Sequence, residues 1–271
     1  MTSKSLLEAF LCRVPRFYDA CLAWKGNTSL EKRVFLQLVR SGDVVCDVGA
    51  NRGYFTALFY HLVGGSGAVH AFEPVEPTFR RLSKALSFAN PARVTLNHHA
   101  VGDREGIVEM FLPNGDDGQA SLGQHMDGSW QNGGVVRHES SITTLDAYSH
   151  KAGLKRLDFV KIDIEGAELL ALRGARETLR QFKPWLCLEM SPEWMKAFSA
   201  TPEKLADELL ACGYDDAFLM QETLEPLGLS TRPLLPQTFA GCANLLCVGT
   251  DVQRRDRLER VGLIPRQPGS Q

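Results

Sequence analysis

The stretch Asp43-Val-Val-Cys-Asp-Val-Gly-Ala-Asn-Arg-Gly-Tyr-Phe-Thr56 limits what this chain can fold into more than any other. Its apolar run, Val44 to Val48, ends in a glycine-rich turn. The turn leads directly into Phe55, Leu58, Phe59 and Leu62, which recur at helical spacing. A buried strand, a tight turn and a helix start make up the nucleotide-type binding unit of a parallel α/β sheet. Gly49 lets the chain turn with a positive φ, and Gly53 lets the helix start lie close to strand and ligand. Asp47 falls at the strand end, where open α/β sheets bind their ligands.

The same turn discriminates between ligands. A pyrophosphate fingerprint asks for glycine at three positions, G-x-G-x-x-G. With its second glycine on Gly49, the other two positions hold Asp47 and Arg52, so the dinucleotide pattern fails. A carboxylate at Asp47 would also repel a pyrophosphate at the helix N-terminus. It favours a ligand with positive charge near the turn. S-Adenosylmethionine (SAM) has a sulfonium, an ammonium and no phosphate. Glu73 ends the next apolar run, Ala68 to Phe72, where an acid that binds ribose is expected. An adenosine-bearing cation fits both acids.

With 271 residues and 44% hydrophobic content, the chain can bury one substantial α/β core. The expected division is an N-terminal helical extension over residues 1–40, a main domain over 41–250 and a C-terminal tail over 251–271. A formal net charge of −2 gives no electrostatic reason to expect a nucleic-acid partner. Of the seven cysteines, Cys46, Cys187 and Cys247 lie inside apolar runs, which suits buried free thiols in a reducing compartment. No Cys-x-x-Cys pair suggests zinc, and no apolar run reaches the length of a transmembrane helix. A cytoplasmic location is expected.

Along residues 4–40, Leu6, Leu7, Phe10, Leu11 and Val14 form one helical stripe. Leu30, Val34, Phe35, Leu38 and Val39 form another after Pro15. These helices are expected to cover the sheet, and they offer a surface on which a second copy can pack. Strands and helices then alternate, the pattern of a parallel sheet with crossover helices. Strands are expected at 43–48, 68–73, Val94 to His98 or His99, 106–112, 158–163 and 185–190, with regular structure resuming over 135–144. One helix should run from Gly166 through Leu169, Leu170, Leu172 and Leu179. Thr201-Pro202-Glu203 reads as a helix start, with Thr201 as N-cap. Strands follow from Gly213 through Leu219 and at Ala243 to Val248, the last able to pair antiparallel. The polar stretch 113–134 is long for a loop in a compact domain, and reads as a lid or a mobile insertion.

Several segments, in this order and spacing, resemble the FkbM-type methyltransferases, which are class I SAM-dependent enzymes. They are Asp47-Val-Gly-Ala-Asn-Arg-Gly53, Phe72-Glu-Pro74, the run ending Ala100-Val-Gly-Asp103, Ile142-Thr-Thr-Leu-Asp146 and Asp158-Phe-Val-Lys-Ile-Asp-Ile-Glu-Gly-Ala-Glu168. Leu188-Glu-Met190 adds to them. The resemblance implies a Rossmann-like α/β fold, with a mostly parallel seven-stranded sheet flanked by helices. It also implies transfer of the SAM methyl group, commonly to a hydroxyl oxygen on a small molecule, glycan or natural product. An N-directed methyltransferase on the same fold and a non-catalytic SAM-binding or scaffold protein remain open.

Under this resemblance Asp47 meets the ligand's ammonium, directly or through water. Gly49, Ala50 and Asn51 supply backbone contacts, with Gly53 closing the motif. Glu73, followed by Pro74, accepts the ribose hydroxyls. Ala100 and Val101 flank the adenine, with Asp103 near its amino edge. His98 and His99 point to opposite sides of a strand, so at most one faces the ligand. Asp163 is the acid that faces substrate, and Glu165 or Glu168 is a candidate base for a hydroxyl. These three acids also suit a divalent cation such as Mg or Mn. Glu165 and Glu168 have a plainer reading as acids at a helix start. Ser121, His125 and Trp130 place the 113–134 loop on the acceptor side.

Overall fold

The apolar runs become strands of two sheets. In this computed structural model the described residues are 11, 18, 29–113, 119–125, 130, 134–229, 234, 239, 241–249 and 252–264. Strands β1 (Val44–Val48), β2 (Ala68–Phe72) and β3 (Val94–Asn97) pair in parallel on one side of the main sheet. Strands β7 (Phe159–Ile162) and β8 (Trp185–Met190) continue it in parallel on the other side of β1. Next come β9 (Tyr214–Met220), β10 (Leu224–Pro226) and β11 (Ala243–Gly249). The last strand inserts antiparallel between β8 and β9, as its sequence position allowed.

The sheet order is β10-β9-β11-β8-β7-β1-β2-β3, eight strands rather than seven. The extra strand is β10, a short hairpin return on β9. A second, three-stranded sheet holds β4 (Ala100–Val101), β5 (Gly106–Pro113) and β6 (Val135–Thr143). It has its own apolar cluster, built from Val75, Ala100, Val108, Met110, Leu112 and Ile142. Nothing in the alternation of β5 and β6 indicated that they leave the main sheet.

Helices cover both faces. On one face, Val34, Phe35 and Leu38 of α1 (Leu30–Leu38) pack with Leu58, Phe59 and Leu62 of α2 (Tyr54–Leu62) over Val45, Phe159 and Cys187. Next in the chain is α3 (Glu76–Ala85), followed by α4 (Leu145–Lys151). The opposite face carries α5 (Glu168–Arg173), α6 (Arg176–Phe182) and α8 (Pro202–Ala211), with the short α7 (Pro192–Met195) between them. The expected N-cap is in place, since the Thr201 side chain accepts from the Lys204 amide. In the tail, α9 (Val252–Arg260) buries Leu258 in the α1 face, and Arg257 donates to the Leu38 carbonyl. The expected first helix stripe lies almost wholly outside the described residues. Among the described residues, no helix is long and apolar enough to cross a membrane.

The single helix expected after Gly166 is two helices, α5 and α6, broken at Gly174. A Cβ on Gly174 would lie 2.0 Å from the Gly102 carbonyl oxygen, so two backbones meet there. Asp146 then caps α6, its carboxylate accepting from the Glu177 and Thr178 amides at 3.2 and 2.7 Å. This capping satisfies donors that a continuous helix would bond internally.

Gly49 fixes the relation between β1 and β7. It has φ of +81°, and a Cβ there would sit 1.8 Å from the Asp163 carbonyl oxygen. Gly49→Ala is therefore expected to cost about 2 kcal/mol or more, read as a lower midpoint in denaturant unfolding. Gly65, with nothing within 4 Å of an added Cβ, is the control. Gly65→Ala should change stability by less than about 1 kcal/mol.

Candidate functional site

The C-terminal ends of β1, β2 and β7 open into a cavity of about 470 Å³. That volume is ordinary for a pocket that encloses a small molecule. The 47–52 turn, the Phe72-Glu-Pro74 run and Asp163 to Glu165 line it, together with Lys161. The second sheet contributes Ala100, Val101 and Met110, and the 113–134 stretch contributes Ala120 and Leu122.

The amides of the turn are already used. Gly49 and Ala50 donate to the Phe72 carbonyl at 3.1 and 2.9 Å, and Gly53 donates to Ala50 at 2.9 Å. The Asn51 amide donates to Glu73 Oε2 at 2.9 Å. Those N–H groups tie the turn to Phe72 and Glu73, so the backbone contacts expected of Gly49, Ala50 and Asn51 fall to their other main-chain atoms. What the turn presents is acceptors. Asp47 is fully buried; its Oδ2 accepts from the Thr56 hydroxyl at 2.6 Å, and its Oδ1 has no partner. Asn51 Oδ1 is buried and unpartnered as well. Burial raises the Asp47 pKa, against the opposing pull of Lys161 and the Thr56 hydrogen bond.

Glu73 is buried beside this turn. Each of its oxygens takes one backbone N–H, Oε2 from Asn51 and Oε1 from Val75, both at 2.9 Å. A carboxylate oxygen has two lone pairs, so each retains one for a hydroxyl donor. Burial pushes the Glu73 carboxyl up to about 7, with those two amides pulling the other way.

Two expected residues are placed differently. Gly53 does not line the cavity. A Cβ there would lie 2.7 and 2.8 Å from Leu82 and Leu86, so its missing side chain brings α2 against α3 instead. Asp103 is exposed, 3.7 Å from the Arg104 guanidinium, and also outside the lining. The chain turns away from the cavity at Gly102, leaving Ala100 and Val101 inside. The histidines divide as their alternation requires. His99 lines the cavity, whereas His98 stacks on Phe79 with ring centroids 4.8 Å apart.

Lys161 was not singled out in the sequence, yet it lies buried at the centre of the site. Its ammonium donates to Asp163 Oδ2 at 2.7 Å and sits 5.1 Å from the centre of the Phe55 ring. Burial alone would lower its pKa; Asp163, Asp47 and Glu31 outweigh that and raise it. Lys161 is the cross-strand partner of Asp47, and the signal for it was a lysine inside the apolar run Phe159-Val-Lys-Ile.

Beyond Asp163 lies an acidic cluster. Glu165 has φ of +58°, an uncommon conformation for this residue type. Its carbonyl accepts from the Ser121 hydroxyl at 2.9 Å and from the His125 ring at 3.0 Å. His125 in turn stacks on Trp194 and meets Trp130 edge-on, each at 5.0 Å. The described part of the 113–134 stretch is thus packed over the Glu165 turn. Glu168 Oε1 accepts from the Ile164 and Gly166 amides at 3.0 and 3.4 Å, holding that turn from beneath. Glu189 on β8, also missed in the sequence, accepts from the Cys242 thiol at 2.7 Å.

Residues 47–215 match the family model described as the methyltransferase FkbM domain. The chain belongs to this family. It is 30% identical over 165 residues to the 31-O-demethyl-FK506 methyltransferase FkbM of Streptomyces tacrolimicus, a match covering 51% of this chain and 62% of that protein. The chain thus spans less than two thirds of that relative's length. It is 24% identical over 193 residues to the 2-O-methyltransferase NoeI of Sinorhizobium fredii, covering 65% and 75% of the two chains. A crystal structure of a methyltransferase FkbM from Methylobacillus flagellatus KT is similar at 18% identity and a TM-score of 0.45, covering 76% of this chain and 43% of that one.

The FkbM-domain site is loaded with acids that hold their protons in the fold. Burial first, then neighbouring carboxylates, pushes Glu165 up to about 10 and Glu168 up to about 8. Glu189 is pushed up to about 7 by burial and then by Asp163. Unfolded, these groups titrate near the ordinary value of 4.5. Their contribution to stability is therefore full below that value and is lost as pH rises through their folded pKa values. Melting temperature should fall between about pH 5 and pH 10, and Glu165→Gln should flatten the alkaline part of that fall. A melting temperature that climbs steadily over this range would contradict the account.

Proposed function

We propose that this protein transfers the methyl group of SAM to a hydroxyl oxygen of a small molecule or glycan. The observation that carries the reading is the turn of spent amides and free acceptors at Asp47, Asn51 and Glu73. It suits a ligand rich in donors and positive charge, and it has little to offer a phosphate. The relatives named for 31-O and 2-O methylation support oxygen over nitrogen as the acceptor.

Asp47 would hold the ammonium through Oδ1, and Glu73 would accept the two ribose hydroxyls. Pro74, Ala100 and Val101 would enclose the adenine. SAM supplies an already activated methyl: as the new C–O bond forms, the C–S bond breaks and its electron pair stays on sulfur. Asp163 lines the cavity and is fixed through Oδ2 by Lys161, so it can orient the acceptor hydroxyl and receive its proton. Glu165 is a poor base as it stands, since its acid form persists up to about pH 10. The apolar surface of Met110, Ala120 and Leu122 would exclude water around the reacting atoms.

Glu73→Ala is expected to weaken SAM binding about tenfold or more by calorimetry, without unfolding the protein. Unchanged affinity would remove Glu73 from the ribose. Asp163→Asn should still bind SAM but lose about a hundredfold or more in turnover against hydroxylated small molecules and sugars. Full turnover would eliminate Asp163 as the catalytic group. SAM that binds but is consumed with no acceptor in such a panel would favour the non-catalytic alternative.

A further inference from the structure

We infer that Asp163, Glu165 and Glu189 bind a divalent cation of the hard, oxygen-seeking kind, Mg²⁺ or Mn²⁺, at the acceptor end of the cavity. The functional meaning of this site rests on the methyl-transfer reading; its existence does not.

One carboxylate oxygen from each of the three residues lies within 4.8 Å of the other two. Oxygens on opposite sides of one ion sit about 4 to 5 Å apart, given bonds of about 2.1 to 2.5 Å, so small side-chain adjustments close the site. The three residues come from separate parts of the fold. Asp163 follows β7, Glu165 occupies the left-handed turn, and Glu189 lies on β8. Their convergence is therefore tertiary rather than a run of acids along one helix. An all-carboxylate set selects hard cations over zinc or copper.

The buried oxygens point the same way. Glu165 Oε2 and Glu189 Oε2 are shielded from solvent and have no hydrogen-bond partner. The Cys242 thiol occupies only the other oxygen of Glu189. A fourth acid, outside the set of three, gives independent support. Glu168 is 1% exposed; its Oε1 is held by two amides and its Oε2 is buried without a partner. The charges that act on it most are those of Glu189 and then Asp163, so it lies beside the same cluster. Leaving several such groups unpaired in a protein interior is costly. Lys161 offsets one negative charge and is committed to Asp163 Oδ2. The rest must be met by protons or by a cation, and a cation that binds here displaces protons.

Asp163 and Glu165 line the cavity, so an ion between them and Glu189 is within reach of an acceptor entering from that side. It would add an oxygen-binding point for the acceptor hydroxyl, opposite the end that holds adenosine.

The test is direct titration of the full chain with Mn²⁺, without SAM or acceptor, by calorimetry and electron paramagnetic resonance. One saturable site is expected, with proton release seen as a buffer-dependent heat. Glu189→Gln and Glu165→Gln should each weaken it about tenfold or more. Glu193→Gln, at an exposed glutamate paired with Lys196, should leave it unchanged. If Glu189→Gln fails to fold, Glu165→Gln decides. No saturable Mn²⁺ binding, or binding equally strong in both variants, overturns the site. Mn²⁺ binding in a protein that never consumes SAM would uphold the site and remove only the methyl-transfer reading.

Discussion

A buried ammonium holds this site together. Lys161 is on the central strand pair, opposite Asp47 in register, and it reaches Asp163, two residues on and just past the end of β7. Glu31, on α1, also contributes to raising its pKa. One side chain thus ties the 47–52 turn, the Asp163 edge and α1 into a single electrostatic unit. Removing one partner from a buried ion pair costs about 3–5 kcal/mol, because it strands the other charge. Here Lys161 would strand two acids. The ring of Phe55 beneath the ammonium supplies some of the stabilisation that water no longer gives.

The electrostatics of the turn reverse those of a phosphate site while keeping its backbone shape. A phosphate loop works by leaving amides free at a helix start. In this chain the amides of residues 49–51 are consumed by Phe72 and Glu73, and Asp47 places a carboxylate beneath them. The strand, turn and helix are kept, and the groups the turn presents change from donors to acceptors.

Much of this was legible from local pattern. Glu73 and Asp163 each end an apolar run and Asp47 is one residue short of the end of another, and a strand end is a position that sequence spacing marks well. The Thr201 cap was legible for the same reason, since its partner is three residues away. The misses all depend on what lies across the fold. Gly53 packs on Leu82 and Leu86, and Gly174 on Gly102. Glu189 joins Asp163 only because β8 pairs with β7, placing Cys187 beside Lys161. Asp103 was read as part of a motif, but the chain has already turned outward when it reaches that residue. Strand periodicity did contain a usable clue. Asp47, Lys161 and Glu189 are on alternate positions that share the face of Val45, Phe159 and Cys187.

The Glu165 turn shows how the two ends of the cavity are coupled. A glutamate with φ of +58° is held in a conformation worth about 1–3 kcal/mol of strain. Its carbonyl is fixed from above by Ser121 and His125, and the neighbouring amides from below by Glu168. His125 is itself wedged between Trp130 and Trp194. The position of the Glu165 carboxylate therefore depends on how the 119–125 segment is seated. Ala120 and Leu122 of that segment also line the cavity, so the surface beside Glu165 and the support of its carboxylate are the same segment. The 119–125 segment can therefore vary the Glu165 side of the cavity while the turn at Gly49 and Glu73, held by β1 and β2, stays constant.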